Sequence, residues 1–121
     1  MQQLPSWMRT ALYATAVMNI VAGAALLTPQ GRSLAGLPEA PPVFVLTVCL
    51  FVTLFGAGYL RTAMTGNDER MFIGLSAAGK LGFVAILVAL WLAGHLPVQA
   101  PLAAGGDLLF GILFLRHLAS S

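Results

Sequence analysis

The sequence predicts an all-α integral membrane protein, a four-helix bundle with both ends in the cytoplasm. Three observations carry that prediction. The 121 residues are 59% hydrophobic and only 8% charged, with a mean hydropathy of +0.89, whereas soluble domains carry about 25% charged residues. Four long apolar segments make up most of the chain, and crossing a hydrocarbon core takes roughly 17–25 such residues. Within those segments polarity does not alternate, as it would along the strands of a membrane barrel. The length allows a single membrane domain, residues 1–121.

The first span is read at residues 9–27, where Arg9 precedes the largely apolar run 11–27. That run exceeds the roughly 7–15 residues of a signal-peptide core, so it is taken as an uncleaved span. Thr28, Pro29, Gln30 and Gly31 are expected to end it. Residues 28–42 form a loop holding Pro29, Pro38, Pro41 and Pro42, and its middle, 33–37, is apolar enough to lie on a membrane surface. The second span covers 43–60, followed by a polar connection at 61–70 that turns through Gly66, Asn67, Asp68 and Glu69. The third covers 71–94 and is broken by the segment 95–99. The fourth covers 101–118, with Pro101 suited to a first helical turn.

Basic residues prefer the cytoplasmic side of a membrane. Arg9, Arg61, Arg70 and Arg116 fall on one side of this threading and Arg32 on the other. The expected topology is therefore multi-pass, with both termini cytoplasmic. Trp7 and Trp91 read as interface residues, and Tyr59, two positions before Arg61, as an interfacial anchor.

Two charges of opposite sign, Lys80 and Asp107, lie inside the spans. An intramembrane charge costs about 2.5–3.5 kcal/mol on insertion scales. The arginines serve as rulers of depth. Asn19, Lys80 and Asp107 each lie nine or ten residues from one of them, which is about 14–15 Å at the helical rise. Thr53, eight residues before Arg61, lies slightly lower. A shared buried site is the expectation, with Asn19, Thr53, Lys80 and Asp107 as candidate ligand-binding residues. Tyr59 and Ser76 form a second tier. Small and polar residues recur at helical spacing beside them: Thr15, Asn19 and Gly23; Cys49, Thr53 and Gly56; Gly74, Ala78 and Gly82; Ala103, Asp107 and Gly111. Such stripes let membrane helices approach closely.

Other chemistry is argued against. The single cysteine, Cys49, permits no internal disulfide and no thiol pair. His95 and His117 fall near opposite faces, which does not suit haem ligation within one chain. No metal-ligand cluster and no phosphate loop is present, so no metal or other cofactor is expected. Ser76, one turn before Lys80, is the sole Ser–base arrangement, and no catalytic residue is assigned. The scattered basic residues make no nucleic-acid patch.

The layout resembles the DoxX-like (DoxD-like) group of small bacterial four-helix membrane proteins. The residues that carry the resemblance are NIVAGAALLTP (19–29), FGAGYL (55–60), AAGKLGFV (77–84) and GDLLFGILFL (106–115). The resemblance implies a four-helix fold in a bacterial inner (plasma) membrane, and a few members of that group are tied to respiratory or thiosulfate oxidation. The chain lacks the first-span basic residue associated with the better-known members, so no functional residue is carried over. The functional expectation is an accessory membrane subunit or a binder of an apolar small molecule, organised around a polar centre. A small proton-coupled carrier, working as a homodimer, is the second expectation. An enzyme acting on a quinone or other lipid-soluble substrate is the third.

Overall fold

In the computed structural model, which describes residues 2–120, six helices follow in order. They are α1 (Ser6–Ala25), α2 (Pro29–Leu34), α3 (Pro42–Thr65), α4 (Arg70–Leu92), α5 (Gln99–Ala103) and α6 (Gly105–Ala119). Among the described residues there is no strand, only an antiparallel bridge between Gln3 and Asn67. Two helices, α3 and α4, are long and apolar enough to cross a membrane. Pro42 opens α3, where its missing N–H costs nothing. Gly66 closes it in the left-handed region at φ 72°, a conformation that favours a residue without Cβ.

Several expected boundaries move. Pro29 does not simply end the first helix. It starts α2, with the Thr28 hydroxyl accepting from the Gly31 N–H at 3.0 Å as a cap. Helix α3 runs past the expected end at residue 60 to Thr65, because nothing before Gly66 breaks it. The expected fourth span is divided: α5 ends at Ala103 and α6 begins at Gly105. The adjacent Gly105 and Gly106 hold helical geometry poorly, and the chain turns at Ala104 there. With 15 residues, α6 is about 22 Å long and alone falls short of a hydrocarbon core of about 30 Å.

Helix α1 packs mainly on α3 and α4 mainly on α6, while α1 against α6 joins the two pairs. One end of the molecule is tied together through the backbone. Leu4 N donates to Gly66 O at 2.8 Å, Asp68 N to Gln2 O at 2.9 Å, and Arg70 Nη2 to Leu118 O at 2.7 Å. At this latched end α1 and α4 start and α3 and α6 finish. Thus α1 and α4 run parallel, each beside an antiparallel partner.

The principal core, near the latched end, is built from Met8, Leu12, Ala16, Tyr59, Ala63, Ile73, Ala77 and Phe114. A smaller one at the opposite end gathers Leu87, Ala100 and Ala104 under Leu37 and Leu96. Small residues close the α1–α3 seam. A Cβ on Gly56 would stand 3.1 Å from the Asn19 Cβ, and one on Gly23 would collide with the Thr53 hydroxyl. Between α3 and α4 the spacer is aromatic instead: Phe72 stacks on Phe55 at 5.9 Å and tilts against Tyr59 at 5.5 Å. The outward face of α3 is apolar, with Val43, Phe44, Leu46, Leu50, Phe51 and Leu54 all exposed.

The stripe Gly74, Ala78 and Gly82 was expected to pack inward, and the structure corrects this. Ala78 and Gly82 are exposed, and a Cβ on Gly82 would meet nothing within 4 Å. The inward face of α4 belongs to Ile73, Ser76, Ala77 and Lys80. Both faces fit a helical repeat, so spacing alone does not choose between them.

Candidate functional site

Four helices meet at Lys80. Its position on the inner face of α4 buries the side chain to 5% exposure, and Nζ donates to Asp107 Oδ1 on α6 at 2.8 Å. It also donates to Asn19 Oδ1 on α1 at 3.3 Å. The Asn19 amide turns its other end to α3, where Nδ2 donates to the Val52 carbonyl at 3.0 Å. Lys80 further lies over the Tyr59 ring, 5.1 Å from its centroid, within range of a cation–π attraction. One ammonium therefore engages α1, α3 and α6 at once.

Asp107 gains from the break in the last span. It occupies the first turn of α6, where unpaired backbone N–H groups favour a negative charge. Its side chain stays 23% exposed, so only one end of the ion pair is shut away. Gly111, one turn on, makes room: a Cβ there would stand 2.7 Å from the Leu81 side chain and 3.5 Å from the Lys80 Cβ.

Of the candidates read from the sequence, Asn19, Lys80 and Asp107 come together, with Tyr59 and Ser76 beside them. Tyr59 is no interfacial anchor. It is buried among Phe55, Phe72 and Phe114, with ring centroids 5.5–6.2 Å away, because α3 continues well past it. Ser76 is buried next to the Tyr59 phenol. Thr53 does not join the centre. It is exposed at the rim of the α1–α3 seam, against Gly23. Two reasons account for this. Each four-residue step drifts by about 40° around a helix, so Cys49 and Gly56 face inward while Thr53 between them turns aside. Arg61 was also a poor ruler, since α3 runs past it to Thr65.

A second polar cluster was not foreseen. At the latched end His117 Nε2 and Asp68 Oδ1 lie 3.0 Å apart, both buried. Arg70 Nη1 reaches Asp68 Oδ2 at 3.4 Å, and the Trp7 ring stands edge-on to His117 at 6.1 Å. Arg116 covers Trp7 at 5.4 Å, and Arg9 donates to the last carbonyls of α3, Ala63 at 3.0 Å and Met64 at 3.4 Å. The available signal was the series Gly111, Phe114 and His117, which places His117 on the inner face of its helix.

The opposite end carries two concavities. An open cleft of about 370 Å³ is lined by Ser33, Leu37, Glu39, His95 and Leu96. An apolar groove of about 220 Å³ is lined by Leu26, Leu37, Phe44, Val45, Val48 and Cys49, with Arg32. Neither is lined by Asn19, Lys80 or Asp107. Arg32 is spent on structure: two of its nitrogens meet the Glu39 carboxylate at 3.1 Å each, and Nη1 donates to the Leu26 carbonyl at 2.9 Å. Hydrogen bonding to Arg32 holds the Glu39 carboxyl below its ordinary value, and the same bonds raise Arg32. Among the described residues no cluster of three His, Cys, Asp or Glu is placed to hold a metal. No protein family, no curated protein and no solved structure matches the chain.

Proposed function

We propose that this chain is a small multi-pass membrane protein without catalytic activity, an accessory subunit whose spans are fastened by Lys80, Asp107 and Asn19. In this reading four spans cross the plasma membrane of a bacterial cell, α5 and α6 together making the fourth. Both termini lie in the cytoplasm, because Arg9, Arg61, Arg70 and Arg116 gather at the latched end and Arg32 stands alone at the other. The observation that carries the proposal is the double engagement of Lys80, held by Asp107 at 2.8 Å and Asn19 at 3.3 Å. A charge so engaged favours joining helices over turning over substrate. Lipid covers the outward face of α3, and the exposed Ala78 and Gly82 offer a partner helix a close seat on α4. That partner is a second copy of the chain or a larger membrane complex. The resemblance to the DoxX-like group agrees with this architecture.

Substitution tests the clamp. Lys80→Met leaves Asp107 unpaired and is expected to destabilise toward the lower end of about 3–5 kcal/mol, since Asp107 keeps some solvent. Lys80→Met with Asp107→Leu is expected to recover most of that loss, measured by unfolding in lipid bicelles. A double variant as unstable as the single one would sink the clamp. Purification from native membranes as a lone monomer after mild cross-linking would sink the accessory role.

The apolar groove beside Cys49 favours a second reading, a binder of an apolar molecule such as a lipid chain. Its seat would be that groove and not the polar centre. Cys49→Trp would then abolish retention of such a molecule while leaving the clamp intact. The half-open side of Asp107 is what favours a proton-coupled carrier, and proteoliposomes without pH-dependent uptake would dismiss it.

A further inference from the structure

Thr10, Thr47 and Thr62 satisfy their hydroxyls in the ordinary helical way, donating to the carbonyls of Ser6, Val43 and Gly58 at 3.1, 2.6 and 2.9 Å. Thr15 and Ser76 do not. Both are buried, at 0% and 2% exposure, and neither hydroxyl finds a hydrogen-bond partner among the described residues. Leaving a buried hydroxyl unpaired is costly, and native interiors rarely do so.

These two hydroxyls share one register relative to the Asn19–Lys80 contact. Helices α1 and α4 run parallel and touch through Asn19 and Lys80. Thr15 and Ser76 each lie four residues earlier, one turn nearer the latched end, and so stand at one level beneath Lys80. Tyr59 arrives at that level on antiparallel α3, three residues beyond the Gly56 that packs on Asn19. Its phenol lies beside Ser76, and its ring lies 5.1 Å from the Lys80 ammonium. Lys80 adds a third demand. An ammonium carries three N–H groups, and its acceptors in the structure are two, Asp107 Oδ1 and Asn19 Oδ1. Below this level the core is closed by Met8, Leu12, Ala63, Ile73 and Phe114.

We infer that Thr15, Ser76 and Tyr59, with the third N–H of Lys80, form a buried hydration site that holds ordered water. Water suits the set because it donates to and accepts from hydroxyls and accepts from an ammonium, and buried waters ordinarily find two to four such partners. The site extends the polar centre one turn toward the latched end and solvates Lys80 away from bulk water. It stops at the apolar plug, so it does not connect to the Asp68–His117 cluster. The inference needs neither a partner nor the clamp reading.

Hydroxyl-radical footprinting of the intact protein in lipid nanodiscs tests it, since radicals formed from a bound water label the side chains it touches. Phe114, equally buried, is the internal reference. After correction for intrinsic reactivity, Tyr59 is expected to be labelled several times faster than Phe114. Thr15→Val with Ser76→Ala is expected to bring Tyr59 down to the Phe114 rate while exposed Trp7 is unchanged. Equal rates for Tyr59 and Phe114 in the unaltered protein would overturn the site, whether or not the variant folds. Undiminished Tyr59 labelling in a folded double variant would overturn the role of the two hydroxyls. Failure of the double Lys80, Asp107 variant to recover stability would leave these rates as expected, so the two ideas fail separately.

Discussion

Asn19 binds two neighbours with one amide, giving to the Val52 carbonyl and receiving from Lys80. Interhelical hydrogen bonds in membranes average about 0.6 kcal/mol and reach about 1.7. With two bonds at stake, Asn19→Leu is expected to cost close to the upper figure in bicelle unfolding, less than Lys80→Met, because no charge is orphaned. At the other end the Arg32–Glu39 pair has a pH signature of known sign. The Glu39 carboxyl is held below its ordinary value of 4.5. Its contribution is therefore complete above that value and is lost as pH falls through the lowered one. The protection factors of the amides in residues 29–39, which remove the intrinsic pH dependence of exchange, are expected to stay flat between about pH 6 and 8 and to fall in acid. Glu39→Gln is expected to lower them at neutral pH and to make little difference in acid, without changing the stability of α3 or α4. At this scale the sequence was readable where a residue breaks the rule of its surroundings. Lys80, Asp107 and Asn19 are polar groups amid apolar runs, and the penalty for leaving them unpaired predicts their meeting. Tyr59 was misjudged since its amphipathic ring suits an interface as well as a core, and only the length of α3 decides.

Glycines distinguish the inner and outer faces of the helices. Gly56 stands against Asn19 and Ile20, whereas Gly79 has nothing within 4 Å of a Cβ position. Gly56→Leu is expected to wedge α1 from α3 and to destabilise by about 1–3 kcal/mol, the usual cost of overpacking. Gly79→Leu is expected to be near neutral in the monomer, and bicelle unfolding of the pair checks the contrast. Most of the helices were legible from the length of their apolar runs. The division between α5 and α6 was not, although Gly105 and Gly106 marked it. Isolated glycines are common in membrane helices, and a pair reads as a break only when neighbouring packing cannot compensate. The stripe Gly74, Ala78 and Gly82 misled for a related reason: small residues announce close approach but not which neighbour approaches. Thr53 shows the same limit, as a residue on the correct helix becomes a rim residue through about 40° of drift.

Across the whole molecule the arginine distribution makes the orientation testable. With Cys49 replaced by serine, single cysteines at Asn67 and Ser120 are expected to react with an impermeant maleimide only from the cytoplasmic side. A cysteine at Pro38 is expected to react only from outside. Labelling of 38 and 67 from one side would refute the threading. The Asp68–His117 contact was the least legible feature, because nothing local relates two residues 49 positions apart. It also constrains biogenesis. Asp68 sits in the turn before α4, and its partner lies near the end of α6. During synthesis that turn is made long before His117 leaves the ribosome, so the latch closes only after the last helix has been delivered. Until then the Asp68 carboxylate stands exposed beside Arg70, without its histidine partner. Closing the latch buries the Asp68 carboxylate while Arg70 stays partly exposed, so that carboxylate is hidden only once the last helix has docked.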